Sequence, residues 1–577
     1  MTDRPWTAHY VEGTRPEIDA IPYRNLADMG RQVAAKYADR IAFTQVMPNG
    51  MNASLTFAEV DRLSDEFAAY LREVAGLAEG DRVAVQLPNC LVYPVVAFGV
   101  WKAGCVLANT NPLYTPSEMT HQFSDAGAKV LVILDMFADR LPQVLPKTPE
   151  LKTVVVASIA EFFPAARKAL VGIVLKYVKK QVPPVTVAHT RFAAAMKAGK
   201  AAVGRADVRR YVADVGLDTV AALQYTGGTT GVSKGAMLSH GNLLANTMQL
   251  EEVSRNFLRR GQETVLTALP LYHIFALTVN FLLFYAIGGR DVLVPSPRPV
   301  SNLKAAWEKM PITWFTGVNT LYNALAGEDW FKQSPPKELV ASLAGGMALH
   351  SAVAKRWQEV TGTPVVEGYG LTETSPVATF NPIGGLVKDG TIGVPLPSTD
   401  LRCVDEDGSP VPNGEPGEIA IKGPQVMLGY WQRPDETAKV LKDGWLRTGD
   451  IAVMDEDGYF RIVDRKKDMI LVSGFNVYPN EVEEAIARHP GVREVGVIGV
   501  PDEKSGETVL AFVVKKDPAL TEQDVIAHAR EHLTPYKVPR RVEFRDDLPK
   551  TPIGKILRKD LRTQLGSAAK PVEQATV

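Results

Sequence analysis

Apolar positions along the chain fall into two rhythms. Residues 82–87, 129–134 and 153–157 are short runs rich in β-branched side chains, while Val60, Leu63, Phe67 and Leu71 recur three and four apart. The first pattern fits a strand covered on both faces, and the second puts apolar groups on one side of a helix. Thr56-Phe-Ala-Glu59 ahead of the helical stretch is a capping box, whose hydroxyl and carboxylate each accept a backbone N–H at the helix start. A further helix is predicted over 92–104. Strand-like runs return at 265–268, 292–295, 314–317, 339–344 and 365–367. Strands alternating with helices predict an α/β fold of layered, mostly parallel sheets.

The rhythm changes at 395–423, where Asp-Gly, Pro-Asn-Gly and Glu-Pro-Gly turns break short strands and predict a small β unit. A dense charge cluster, Asp464-Arg-Lys-Lys-Asp468, then separates two apolar runs and marks a boundary. Beyond it the pattern predicts a compact α+β domain: a helix starting at Asn480 and Glu483, strands at 495–500 and 509–515, a helix from Thr521 and a strand at 541–544. The expected division is 1–464 for a large N-terminal region and 465–577 for a small C-terminal domain, with 566–577 a solvated tail.

Two segments bear on membranes. The longest apolar stretch, 274–287, is interrupted by Thr278 and Asn280 and is shorter than the ~20 residues of a span, so it predicts a buried helix. Residues 165–182 place Lys168, Lys176, Lys179 and Lys180 on one helical side and Leu170, Ile173, Val174, Tyr177 and Val178 opposite. That reads either as the solvated face of a packed helix or as a helix lying on an anionic membrane.

Composition narrows the class. A formal net charge of −1 over 577 residues gives no general attraction to nucleic acid. Cys90, Cys105 and Cys403 lack metal-ligand spacing and make no disulfide framework, and the N-terminus has no secretion signal, so a cytoplasmic protein is expected.

Chemistry concentrates in Tyr225-Thr-Gly-Gly-Thr-Thr-Gly-Val-Ser-Lys-Gly235. Gly227, Gly228 and Gly231 free the backbone, Thr226, Thr229 and Thr230 add hydroxyls, and Lys234 adds a positive charge. Such a loop suits phosphate oxygens, yet it lacks the Gly-Lys-Ser/Thr of a P-loop. Downstream, Gly345-Gly346 follows a strand, and Glu367-Gly368-Tyr369-Gly370-Leu-Thr372-Glu373 ends another, at the sheet edge where α/β proteins bind ligands. Glu373 is a candidate for a hard magnesium ion, or a plain structural carboxylate. Asp450, after a turn, is suited to a ribose diol or to a local backbone bond. His273 at the head of the apolar helix reads equally as a packing residue. Lys555, in a Pro/Gly loop, reads as presented rather than packed.

The order and identity of these motifs, from Thr226 to Lys555, resemble the adenylate-forming superfamily. The stretch from Asp443-Gly-Trp-Leu-Arg-Thr-Gly-Asp450 through Ile470-Leu-Val-Ser473-Gly474-Phe475-Asn-Val-Tyr-Pro-Asn480 resembles bacterial long-chain fatty acyl-CoA synthetases in particular. The resemblance implies ATP, coenzyme A and a long-chain fatty acid as substrates, Mg2+ as cofactor, and acyl-AMP as intermediate. It implies an AMP-forming acid–thiol ligase feeding fatty acid degradation or lipid synthesis. It also implies roles: residues 226–234 on the phosphates, Thr226 and Glu373 near magnesium, and Gly345, Gly346 and 367–369 on adenine. Asp450 and Arg465 hold ribose, Lys467 is the hinge, Lys555 enters the adenylation site, and His273 lies near the carboxylate. Ser473, Gly474 and Phe475 serve the thioester-forming state. The competing readings are an acyl-AMP ligase serving a carrier protein and a non-catalytic peripheral lipid-binding protein.

Overall fold

The computed structural model describes residues 4–226, 233–473, 475–502, 505–551 and 554–568. Two large sheets build the N-terminal region. One has nine strands, in the order Val394–Pro395, Val377–Phe380, Val365–Gly370, Ala341–Ala344, Trp314–Gly317, Thr264–Thr267, Arg290–Leu293, Ile41–Val46 and Asn52–Thr56. Its strands from Val365–Gly370 across to Ile41–Val46 are parallel, and the outer ones antiparallel. The other has eight: Gly429–Tyr430, Lys234–Ser239, Val220–Thr226, Val106–Asn109, Arg82–Gln86, Ala128–Leu134, Thr153–Ala157 and Thr190–Arg191. The α/β class is as the sequence predicts.

Helix Val92–Lys102 is buried along its whole length, which explains why it is apolar all round. It packs on the 274–286 helix through Phe98 and Tyr285, whose ring centroids are 4.5 Å apart. The two polar interruptions of that second helix are both bonded inside the core. Thr278 Oγ1 donates to the Ser375 carbonyl at 2.7 Å, and Asn280 Nδ2 to Thr267 Oγ1 at 2.8 Å. Buried polar groups of this kind are tolerated because they have partners. Among the described residues no helix is long and apolar enough to cross a membrane.

The predicted small β unit is larger than 395–423. Asp400–Val404 and Gly417–Lys422 join Trp445–Met454, Leu441–Lys442 and Phe460–Arg465 in one antiparallel sheet. The C-terminal domain has its own five-stranded sheet and its own core, with Val482, Ile486, Val497, Val513 and Val525 buried together. Its first helix is Pro479–Ala487, starting within a residue of the expected Asn480, whose amide oxygen accepts from Arg558. One expectation needs correction. Residues 558–568 form a helix, so the expected tail begins later than 566, and 569–577 lie outside the described residues.

The segment at 165–182 differs from an ordinary packed helix. It runs as Ala165–Ile173 and continues to Val178, so Lys179 and Lys180 follow its end. Only Val171 is buried, whereas Leu170, Ile173, Tyr177 and Val178 are 53–71% exposed. Lys168 is tied to Glu161 at 2.6 Å.

Candidate active site

Strand register sets Thr226 opposite Lys234 at the mouth of the hairpin whose loop carries the glycines. Gly227, Gly228, Thr229, Thr230 and Gly231 lie outside the described residues. The Lys234 ammonium pairs with Glu436, on helix Pro434–Val440, and lies 5.1 Å from the centroid of the Tyr430 ring. The Tyr430 hydroxyl donates to Glu373 Oε1 at 2.7 Å. A short 3-10 turn, Thr372–Thr374, places Glu373 there, and the Met427 amide fixes it by donating to the Glu373 carbonyl at 2.8 Å. Thr226, Lys234, Tyr430 and Glu373 thus form one connected cluster. Thr226 Oγ1 and the Glu373 carboxylate are hard oxygen donors with lone pairs to spare, which fits magnesium shared with phosphate.

Gly345 and Gly346 follow strand Ala341–Ala344, beside Glu367–Gly370 on the neighbouring strand. A Cβ at Gly345 would stand 3.3 Å from both the Gly368 carbonyl and the Phe275 ring. At Gly370 it would come within 1.8 Å of the Pro376 carbonyl, so only glycine fits. Burial pushes the Glu367 carboxyl up to about 8, against one hydrogen bond from the Leu349 amide. Burial thus favours the protonated form of this carboxyl over the charged one.

Asp450, a candidate from the sequence, is placed differently by the structure than by the sequence. It lies inside strand Trp445–Met454, beside a ladder irregularity, rather than after a turn. Its partner across the ladder is Arg465, whose Nε is 3.2 Å from Oδ1, and the Tyr369 hydroxyl donates to Oδ2 at 2.6 Å. Asp450 is 5% exposed.

Lys555 reaches this group from the small domain. Its loop is tied by Thr551 N donating to the Lys555 carbonyl at 2.7 Å and Lys555 N to Thr551 Oγ1 at 3.0 Å. Gly554 is pressed on the large region: a Cβ there would be 2.6 Å from Thr320 Oγ1 and 3.1 Å from Arg298 Nη2. The expectation that Lys555 is presented rather than packed is therefore half right. A loop presents it, but its ammonium is enclosed. Burial foremost, then Arg465, lowers it to about 8, opposed by Asp450. His273 shares the enclosure. Burial, then the Lys555 charge, holds its imidazole down to about 4, and its Nδ1 accepts from the Phe275 amide at 3.3 Å.

Lys467 follows strand Phe460–Arg465 and is lowered by burial and then by Arg465. Ser473 and Phe475 are not drawn into this cluster; they are exposed, with contacts inside the small domain. Ser473 N donates to the Ser505 carbonyl at 2.7 Å, and the Phe475 ring stacks on Tyr536 with centroids 4.9 Å apart. Gly474 lies outside the described residues.

Sequence reasoning missed Tyr430, Glu436 and Arg558. Gly429-Tyr-Trp-Gln-Arg-Pro434, an aromatic pair before a helix-starting proline, was the available signal for the first two. Arg558 binds Asp464, Asp468, Glu483 and Asn480 at once, at 3.2, 3.4, 2.8 and 2.5 Å. It ties the end of strand Phe460–Arg465 to the small domain.

At this sheet edge the structure brings together Thr226, Lys234, Tyr430 and Glu373, and beside Tyr369 the group of Asp450, Arg465 and Lys555. Residues 30–431 match the family model of AMP-binding enzymes, and 481–555 that of the AMP-binding enzyme C-terminal domain. The chain belongs to the AMP-binding enzymes. It is 48% identical to a long-chain-fatty-acid–CoA ligase of Escherichia coli O6:H1, over 97% of this chain and 98% of that one. It is 39% identical to the ligase of the same name from Bacillus subtilis, with the same coverage. Among solved structures, ATP-bound MatB from Rhodopseudomonas palustris is similar with a TM-score of 0.79 at 30% identity, covering 95% of this chain and 100% of that one. The anthranilate CoA ligase AuaEII with anthranoyl-AMP gives 0.82 at 26%, covering 95% and 98%.

Proposed function

We propose that the protein is an ATP-dependent long-chain-fatty-acid–CoA ligase working through acyl-AMP. The observation that carries this reading is that Lys555 of the small domain lies among Asp450, Arg465 and His273. A carboxylate is a poor electrophile and must gain a leaving group before a thiol attacks it. The carboxylate oxygen attacks the α-phosphorus, the bond to the β-phosphate oxygen breaks, and pyrophosphate leaves. Negative charge builds on oxygens throughout, so alignment and fixed positive charge do most of the work. Lys234 and Lys555 supply charge from opposite domains, and Asp450 with Arg465 orients the nucleotide through its ribose. Gly345, Gly346, Glu367 and Tyr369 receive the adenine. His273, neutral at pH 7, lines the carboxylate end without repelling Lys555. Thr226 and Glu373 would hold magnesium, which supplies charge neutralisation on the phosphates.

In the second step the coenzyme A thiol attacks the acyl carbon and AMP leaves. The small domain, 465–577, then turns about Lys467 against the region 1–464, withdraws Lys555 and brings Ser473 and Phe475 to the site. Their exposure and internal contacts suit residues waiting outside the first state. The apolar 274–286 helix beside His273 favours an alkyl chain over a polar acid. Such an enzyme works in the cytoplasm, where ATP and coenzyme A are found, with reversible contact to the anionic inner face of the membrane through the exposed 165–178 helix.

The test is pyrophosphate release with carboxylic acids from acetate to long-chain fatty acids. Release that requires both ATP and acid and peaks at long chains supports the reading. A maximum at acetate or an aromatic acid, or no release, contradicts it.

A further inference from the structure

Helix Glu522–His532 of the small domain carries His528, Glu531 and His532, and one ligand atom from each lies within 4.8 Å of the other two. Spacings of three and four residues stack these side chains on one helical face. The rings of His528 and His532 have centroids 4.5 Å apart.

The ring nitrogens are already sorted. His528 Nε2 is 3.2 Å from the Ala485 carbonyl oxygen, and His532 Nδ1 is 2.9 Å from the His528 carbonyl oxygen. A carbonyl only accepts, so both nitrogens carry hydrogen, and the lone pairs are left on His528 Nδ1 and His532 Nε2. Backbone carbonyls holding the far nitrogen are the usual outer support of a metal-ligating histidine, because they fix tautomer and ring orientation. Glu531 has no hydrogen-bond or ion-pair partner among the described residues. Glu531 and His532 lie in the last turn of the helix, with His528 one turn before, near the end where the dipole favours positive charge. His489, edge-on to His528 at 5.1 Å, spends its Nδ1 accepting from the Gly491 amide and is not a fourth ligand.

We propose that His528, Glu531 and His532 form a binding site for a late first-row divalent metal ion, Zn2+ above all, with water completing the coordination. Two neutral imidazoles and a carboxylate match the preferences of zinc, whereas magnesium prefers all-oxygen surroundings. The site shares no residue with the cluster around Lys555.

The experiment is a calorimetric titration of tag-free, metal-stripped full-length protein with Zn2+ alone, without nucleotide. Wild type should bind one equivalent at this site. His532→Gln, at the exposed helix end, should weaken that binding about 10-fold or more. The double variant His528→Gln/His532→Gln should abolish it while circular dichroism and pyrophosphate release with magnesium stay unchanged. If the double variant misfolds, the single one decides. No binding by wild type, or equal affinity and stoichiometry in wild type and His532→Gln, would overturn the proposal.

Discussion

Lys555 carries its charge where burial and Arg465 disfavour it, so its proton is held only up to about pH 8. As pH rises through that value the lysine becomes neutral and stops offsetting the charge on the reacting oxygens. The kcat/KM for acyl-AMP formation, which reports groups of the free enzyme, is expected to fall above about pH 8. Lys555→Arg should move that limb upward. A limb that stays in place would assign it to another group. The stability sign runs the other way. The folded value lies below the ordinary lysine value of 10.5, so between about 8 and 10.5 the unfolded chain holds more protons and stability gains with pH. Glu373→Gln makes a second residue-scale case. The amide is a weaker donor to a hard cation, so acyl-AMP formation at low magnesium should drop by at least about 10-fold and recover partly at high magnesium. Near-normal activity at low magnesium would mean that another group holds the ion. Glycine and lysine signatures such as 226–234, and Lys555 itself, are legible in the sequence because their chemistry is local. Tyr430 and Glu436 carry only the weak local signal of Gly429–Pro434, since their partners Glu373 and Lys234 lie 57 and 202 positions away and meet through strand pairing.

At the scale of elements, burial follows the apolar rhythm almost everywhere, and the exception is informative. The 274–286 helix hides its apolar side and satisfies Thr278 and Asn280 within the core. The 165–178 helix leaves Leu170, Ile173, Tyr177 and Val178 in solvent, with Lys176, Lys179 and Lys180 exposed beside them. The first is apolar nearly throughout and reads as buried, whereas the second is amphipathic, and its periodicity does not say which side faces the protein. Each lysine near an anionic surface contributes on the order of 1 kcal/mol, and the apolar ridge adds burial in the interface. Vesicle co-sedimentation should therefore show salt-sensitive binding by wild type. Binding should be weaker for a variant with Lys176, Lys179 and Lys180 changed to Gln, and weaker again when Leu170, Ile173 and Tyr177 become Ser. Equal binding by all three proteins would remove the membrane role of this helix. The strand ends show the other limit of sequence reading. Asp450 looks like a turn residue because Thr-Gly-Asp is turn chemistry, and Gly449 does turn there with φ 74°, yet pairing with Phe460–Arg465 keeps Asp450 within an irregular strand.

At the scale of the molecule, a charged cluster anchors the boundary strand Phe460–Arg465 to the body of the small domain. Arg558 alone gathers Asp464, Asp468 and Glu483, of which Asp464 is fully buried. Removing one partner of such a buried group leaves uncompensated charge, so Arg558→Ala should lower stability by about 3–5 kcal/mol in denaturant unfolding. A loss below about 1 kcal/mol would show that the cluster relaxes into water. Motif order reveals that a second domain exists and where its lysine lies, but not that the domain is closed. Closure is visible in the close approach of Gly554 to Thr320 and Arg298, and in the Ser351 hydroxyl donating to Glu484 at 3.4 Å. If that closed state serves acyl-AMP formation and a turned state serves thioester formation, Lys555 belongs to the first alone. The decisive measurement gives Lys555→Ala either fatty acid with ATP and coenzyme A, or synthetic acyl-AMP with coenzyme A. The expected result is a loss of about 10²–10³ in the first reaction and near-wild-type rate in the second. Equal loss in both would contradict the alternation of domains.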